Sequence, residues 1–187
     1  FEAWNEVLRP LGKTLALDAY APCIGRDGKE NAEKICAMVD AKCDPEKLRG
    51  ERRATYEKLR EGGVPLLSEN IRLIKKFFSS FPHFRHAVVS SEKRRFIKEN
   101  LSLAGIKNFF KLLVSYEDDP ELKRKPAPDM YLYALEKLSA RPEECIAFED
   151  SINGVLAARG AGIICVALPN EFTTLHDLST ANLVIPF

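Results

Sequence analysis

No apolar stretch in the chain approaches the length of a membrane-spanning helix. No sign of charge dominates either: 28 Lys and Arg stand against 27 Asp and Glu, so no overall field calls for nucleic acid or a membrane surface as partner. Cysteine is scarce and lacks any Cys-x-x-Cys pair. The odd count of five (Cys23, Cys36, Cys43, Cys145, Cys165) reads as structural free thiols in a reducing compartment. There is no internal repeat and no low-complexity segment. The first residues, Phe1 to Asn5, form neither a signal peptide nor an initiator methionine, so the expectation is a cytoplasmic chain cut at its start. What is present is enough for a real core: 187 residues, 45% of them apolar, sufficient for one large domain or one and a half small ones.

The first third has helical spacing and no β-branched runs. Trp4, Val7, Leu8 and Leu11 form one stripe, and Ala32, Ile35, Cys36 and Val39 form another. Asp44-Pro45 predicts the start of a third helix, a capping acid followed by proline at the first helical position, carrying Leu48, Tyr56 and Leu59. Glu61-Gly62-Gly63-Val64-Pro65 then breaks the helix and redirects the chain. Beyond this hinge, helices and strands alternate. Strands are expected at 86–90, 111–116, 145–149, 163–167 and 183–186, and helices at 69–81, 92–103, 129–138 and 151–160. That grammar is α/β: a doubly wound parallel sheet covered on both faces, with a small helical domain at 1–62 before a core domain at 63–187. The cluster Lys93-Arg94-Arg95 lies beside Phe96 and Ile97 and reads as a solvated helix face.

Three strand ends carry groups with chemistry. Cys145 to Glu149 is an apolar run ending in two adjacent carboxylates, Glu149 and Asp150, followed by Ser151 and a small-residue helix. Paired acids at a strand tip repel each other unless a cation sits there, and hard oxygens suit Mg²⁺; acids and serine are also favoured as helix caps, which leaves that second reading open. Lys125, in Lys125-Pro-Ala-Pro-Asp129, offers a point charge suited to phosphate, or is a solvated lysine. His86 to Ser90 is a strand ending in the hydroxyls of Ser90 and Ser91 before a helix start, which makes either an anion cradle or a plain cap.

The ordered set of strand-Ser, Lys-Pro-x-Pro-Asp and strand-Glu-Asp-Ser-x-x-Gly resembles the haloacid dehalogenase superfamily of phosphohydrolases and phosphomutases. The helical segment before it, with Phe1-Glu-Ala-Trp4, resembles the cap of that superfamily's β-phosphoglucomutase-like branch. The resemblance implies a Rossmann-like core and a Mg²⁺-dependent phosphatase acting through an aspartyl-phosphate. It implies that Ser90 and the backbone N–H of Ser91 hold the phosphoryl group, that Lys125 neutralises phosphate and nucleophile, and that Asp150, with Glu149 directly or through water, holds Mg²⁺. Arg26 and Lys29 in the loop Cys23–Lys29, and Arg52 on the third cap helix, are the implied contacts to the rest of a small phosphorylated substrate.

One departure stands out. The Asp-x-Asp that carries the nucleophile in that superfamily occurs nowhere in this sequence; Asp118 and Asp119 are adjacent, and Asp18 and Asp27 lie in the cap. The implied strand bearing it belongs between those ending at Ser90 and Glu149. The expectation is therefore a chain short of some twenty N-terminal residues, inactive by itself, with either a gap at that place or the gap filled by a further segment. A phosphohexose mutase and a non-catalytic binding scaffold are the alternatives, and a monomer is expected.

Overall fold

A computed structural model describes residues 1–25, 28–40 and 42–186. The chain divides into two compact units, one comprising Phe1–Val64 with Pro169–Asp177 and Pro186, the other Pro65–Leu168 with Leu178–Ile185.

The first unit is helical among its described residues: α1 (Glu2–Leu8), α2 (Leu17–Tyr20), α3 (Gly28–Met38) and α4 (Pro45–Glu61), with short 3₁₀ turns after α1 and α2. Helix α4 starts where its sequence dictates. The Asp44 carboxylate accepts the Glu46 N–H at 2.9 Å, and Pro45 takes a first-turn position where no N–H is needed. Trp4, Val7 and Leu8 of α1, Ala32, Ile35 and Cys36 of α3, and Leu48 of α4 close one core with Leu15 and Cys23. Each fully buried side chain of this size stabilises by roughly 1.5–3 kcal/mol. Two stripe positions differ from expectation: Leu11 falls in the 3₁₀ turn after α1 and Leu59 on the outer side of α4, and both are exposed. A third difference concerns sulfur. Cys36 and Cys43 form a disulfide, leaving Cys23, Cys145 and Cys165 as free thiols. Spacing alone did not show that the loop after α3 returns Cys43 to within 6.6 Å of Cys36, Cα to Cα.

The second unit alternates helix and strand: α5 (Ser68–Ser80), β1 (Ala87–Ser90), α6 (Arg94–Leu103), β2 (Leu112–Ser115), α7 (Asp129–Leu138), β3 (Ile146–Glu149), α8 (Ile152–Gly160), β4 (Ile164–Ala167) and β5 (Leu183–Val184). All strand pairs are parallel, as the α/β reading requires. The strands form two sheets, β1-β2 and β3-β4-β5. Helix α7 packs on β1 and β2, and α8 packs on β3 and β4. The two-faced cover differs in one respect. Ala147 and Glu149 turn inward, whereas Ile146, Phe148 and the paired Ile164 stand 59%, 50% and 44% exposed. Both alternating sets of this strand are mostly apolar, so the sequence looks two-sided although only one set is buried.

Candidate active site

The C-terminal ends of β1 and β3 and the loop before α7 bring two of the expected groups, Lys125 and Glu149, together. Lys125 donates to the carbonyl of Val89 at 2.8 Å and pairs with Glu149 Oε1, linking the tip of β1 to the tip of β3. Its side chain is 10% exposed and that of Glu149 is 9%. A buried ion pair is costly to desolvate, so it persists only with further partners. Here the Tyr131 hydroxyl donates to the same carboxylate oxygen, and the Tyr131 ring lies 5.0 Å from the lysine ammonium. Burial first, and then the adjacent Glu149 charge, push the Tyr131 phenol well above its ordinary pKa, so it stays a hydrogen-bond donor.

Glycine decides whether Glu149 fits. A Cβ on Gly154 would lie 1.9 Å from Glu149 Oε2, so the first turn of α8 leaves room for the carboxylate only because residue 154 has no side chain. Ser151 caps that helix, its hydroxyl accepting the Gly154 N–H at 3.4 Å. Glu149 Oε1 therefore takes both Lys125 and Tyr131, and the helix has its cap from serine. Asp150, next in the chain, is exposed.

At the tip of β1 the Ser90 hydroxyl accepts the Glu92 N–H at 3.2 Å, and the Ser91 hydroxyl lies 3.8 Å from Met130 Sδ of α7. In the helical unit, the Arg52 guanidinium lies 5.5 Å from the Trp4 ring centre and 4.8 Å from that of Tyr56, with its Nε buried and without a hydrogen-bond partner. Lys29 is 4.0 Å from Glu46, both side chains exposed, a contact of little energetic weight. Arg26 lies outside the described residues. The one clear correction among the charged groups is Arg94. It is not on a solvated face, because it grips Asp118 through Nε at 2.8 Å and through Nη2.

The metal reading can be weighed on the donors. Mg²⁺ is held by one or two carboxylates and keeps several waters, which suits an exposed Asp150 beside Glu149. Among the described residues no group of three His, Cys, Asp or Glu could hold a metal ion. The carboxylates available at the tip of β3 are those of Glu149 and Asp150, a number that suits a cation keeping most of its waters.

The profile of haloacid dehalogenase-like hydrolases matches residues 4–162. The chain belongs to that family. It is similar to the phosphorylated carbohydrates phosphatase of Thermotoga maritima, at 29% identity over 165 residues, covering 87% of this chain and 74% of the relative. Two solved structures share the fold. A CbbY variant from Rhodobacter sphaeroides, crystallised with xylulose-(1,5)bisphosphate, matches with a TM-score of 0.71 at 23% identity, over 98% of this chain and 84% of that one. β-Phosphoglucomutase of Clostridium difficile matches with a TM-score of 0.73 at 20% identity, over 98% and 81%. Membership in this hydrolase family makes the protein an enzyme.

Sequence reasoning overlooked Tyr131 as a partner of Glu149 and took Gly154 only as the closing residue of a motif. Tyr131 looks like one more apolar position on α7. Gly154, three residues after a capping serine, carried a readable signal, since a glycine inside a helix needs a reason.

Proposed function

We propose that the protein is a Mg²⁺-dependent phosphatase that acts on a small phosphorylated carbohydrate, with its phosphate and metal held at the tips of β1 and β3. The observation that carries this reading is the buried Lys125 ammonium, held between the Val89 carbonyl beside Ser90 and the Glu149 carboxylate beside Asp150. The likeness to a phosphorylated carbohydrates phosphatase supports the substrate class. In this reading Ser90 and the Ser91 N–H bind the phosphoryl group, Lys125 offsets its charge, and Asp150 with Glu149 holds Mg²⁺. Arg26, Lys29 and Arg52 meet the sugar, and 1–62 and 63–187 act as cap and core of a cytoplasmic monomer. The metal would neutralise charge on the transferring group; the chain's residues bind and orient it. No residue here is assigned as the attacking carboxylate.

The test uses the 187-residue polypeptide. Inorganic phosphate titrated calorimetrically in MgCl₂ should bind, and Lys125→Ala should weaken binding by about tenfold or more, the scale of one charge-assisted hydrogen bond. Asp150→Asn should raise the Mg²⁺ needed, with excess Mg²⁺ restoring part of the affinity. Absence of phosphate binding by the unmodified chain sinks the reading. A phosphate-ester panel, run with and without a bisphosphorylated sugar, should show no turnover by this polypeptide. Hydrolysis by a sample of verified mass would overturn that expectation and direct attention to Asp119, whereas sugar isomer formation would identify a mutase.

A further inference from the structure

The turn from β1 to α6 is held from outside itself. Ser90 is registered opposite Ser115 in the parallel pair β1-β2, so the loops leaving the two strands start side by side. Ser115 is fully buried, and its hydroxyl donates to the Glu92 carbonyl at 2.8 Å, stitching the second loop to the first. The Asp118 carboxylate, 9% exposed, accepts the Ser115 N–H at 3.0 Å and receives the two-pronged grip of Arg94. Arg94 Nη2 also donates to the Leu113 carbonyl at 2.7 Å, and the Arg94 N–H donates to the Glu117 carboxylate at 2.8 Å. Ser90 lies at the end of this chain of bonds, through the Glu92 N–H that its hydroxyl accepts at 3.2 Å.

We infer that Arg94, Asp118 and Ser115 are positioning residues that fix the Ser90–Glu92 turn in the shape that receives phosphate. The inference rests on the reading that Ser90 binds the phosphoryl group. Two features separate it from mere fold stabilisation. The guanidinium–carboxylate contact is bidentate, a geometry that fixes orientation as well as distance. It also joins two strand-tip loops, one of them carrying Ser90, and buried ion pairs are often replaceable by apolar side chains at little cost to stability. Positioning of a phosphate cradle is sensitive, because a misplacement of about 1 Å is enough to cost orders of magnitude in reactions that depend on orientation.

The experiment is a double-mutant cycle on the full chain, read as calorimetric affinity for inorganic phosphate in MgCl₂ at a temperature where urea unfolding shows every variant folded. Ser90→Ala and Asp118→Asn should each weaken binding by about tenfold. The double variant should bind no more weakly than the weaker single one, because orienting a hydroxyl that is gone has no further value. Arg94→Lys should fail to preserve affinity despite keeping the charge. If Asp118→Asn does not fold, Ser115→Ala takes its place in the cycle. Unchanged affinity in Asp118→Asn or its substitute, or losses that multiply in the double variant, would overturn the inference while leaving Ser90 as a ligand. Unchanged affinity in Ser90→Ala would instead remove the site reading, and the positioning role with it.

Discussion

At the scale of single residues, the site depends on a side chain that is missing. Gly154 gives Glu149 its space, and Glu149 is held in place by Lys125 and Tyr131. A carboxylate on a flexible stem would normally move aside for a methyl group, but moving this one breaks a buried ion pair. Gly154→Ala should therefore cost about 2–4 kcal/mol, near the penalty for disrupting a buried charge pair, and should abolish phosphate binding. Urea unfolding of the two proteins measures the first effect, and a near-neutral change would show that Glu149 has room to spare. His86, just ahead of β1, gives a pH signature. Its ring centre is 4.1 Å from that of Phe78, its Nε2 is buried without a partner, and burial holds its pKa below the ordinary histidine value while a hydrogen bond with the Phe81 backbone partly opposes this. With the folded value below the unfolded one, His86 leaves stability unreduced above about pH 6.5. As the pH falls through that value the unfolded chain takes up the proton first, and stability declines. The urea midpoint should drop between neutral pH and pH 5.5, and His86→Phe should flatten the drop; equal slopes in both proteins would refute the assignment.

At the scale of elements, local rules placed the helices and strands well, and their exceptions have identifiable causes. Helix α7 occupies the expected span, with Asp129 in its first turn and Ser139 in the left-handed conformation at its end. Helix α6 begins at Arg94 rather than near Glu92, because Ser90 to Lys93 are spent on the turn whose bonds run to β2 and its loop. The connection from α3 to α4 carries a cross-link that helical spacing does not reveal. Closing a loop with a sequence separation of 7 removes unfolded-chain entropy equivalent to about 2 kcal/mol. Reduction should then lower the denaturation midpoint of the helical unit, and Cys43→Ser should match the reduced protein and no longer respond to reductant. Trp4 is the chain's single tryptophan and lies in the same core as Cys36, so its fluorescence reports that transition. A midpoint indifferent to reductant would show that the cross-link contributes nothing.

At the scale of the whole molecule, a formal net charge of +1 at pH 7 coincides with large apolar side chains on the surface, among them Ile146, Phe148 and Ile164 on one side of β3-β4. Low net charge and an apolar patch both favour association. Solubility should pass through a minimum near the sequence pI of about 7.8. Replacing Phe148 with Glu should raise solubility and lower binding of an apolar dye, whereas a solubility curve without that minimum would mean the patch is ineffective. Among the described residues no helix is long and apolar enough to cross a membrane.

Read by itself, the sequence determined what depends on near neighbours: the α/β class, the order of elements, and the caps at Asp44 and Ser151. Caps act within three residues, and helical and strand periods repeat every few, so these features are written locally. Tertiary structure alone decided who meets whom. Lys125 reaches Val89 across 36 positions and Glu149 across 24, and Arg94 reaches Asp118 across 24. It also decided that Leu11 and Leu59 stay outside, that Cys36 finds Cys43, and that the Tyr131 hydroxyl meets Glu149. Such contacts depend on how packed strands and helices bring distant loops to the same place, and no window of local spacing contains that information.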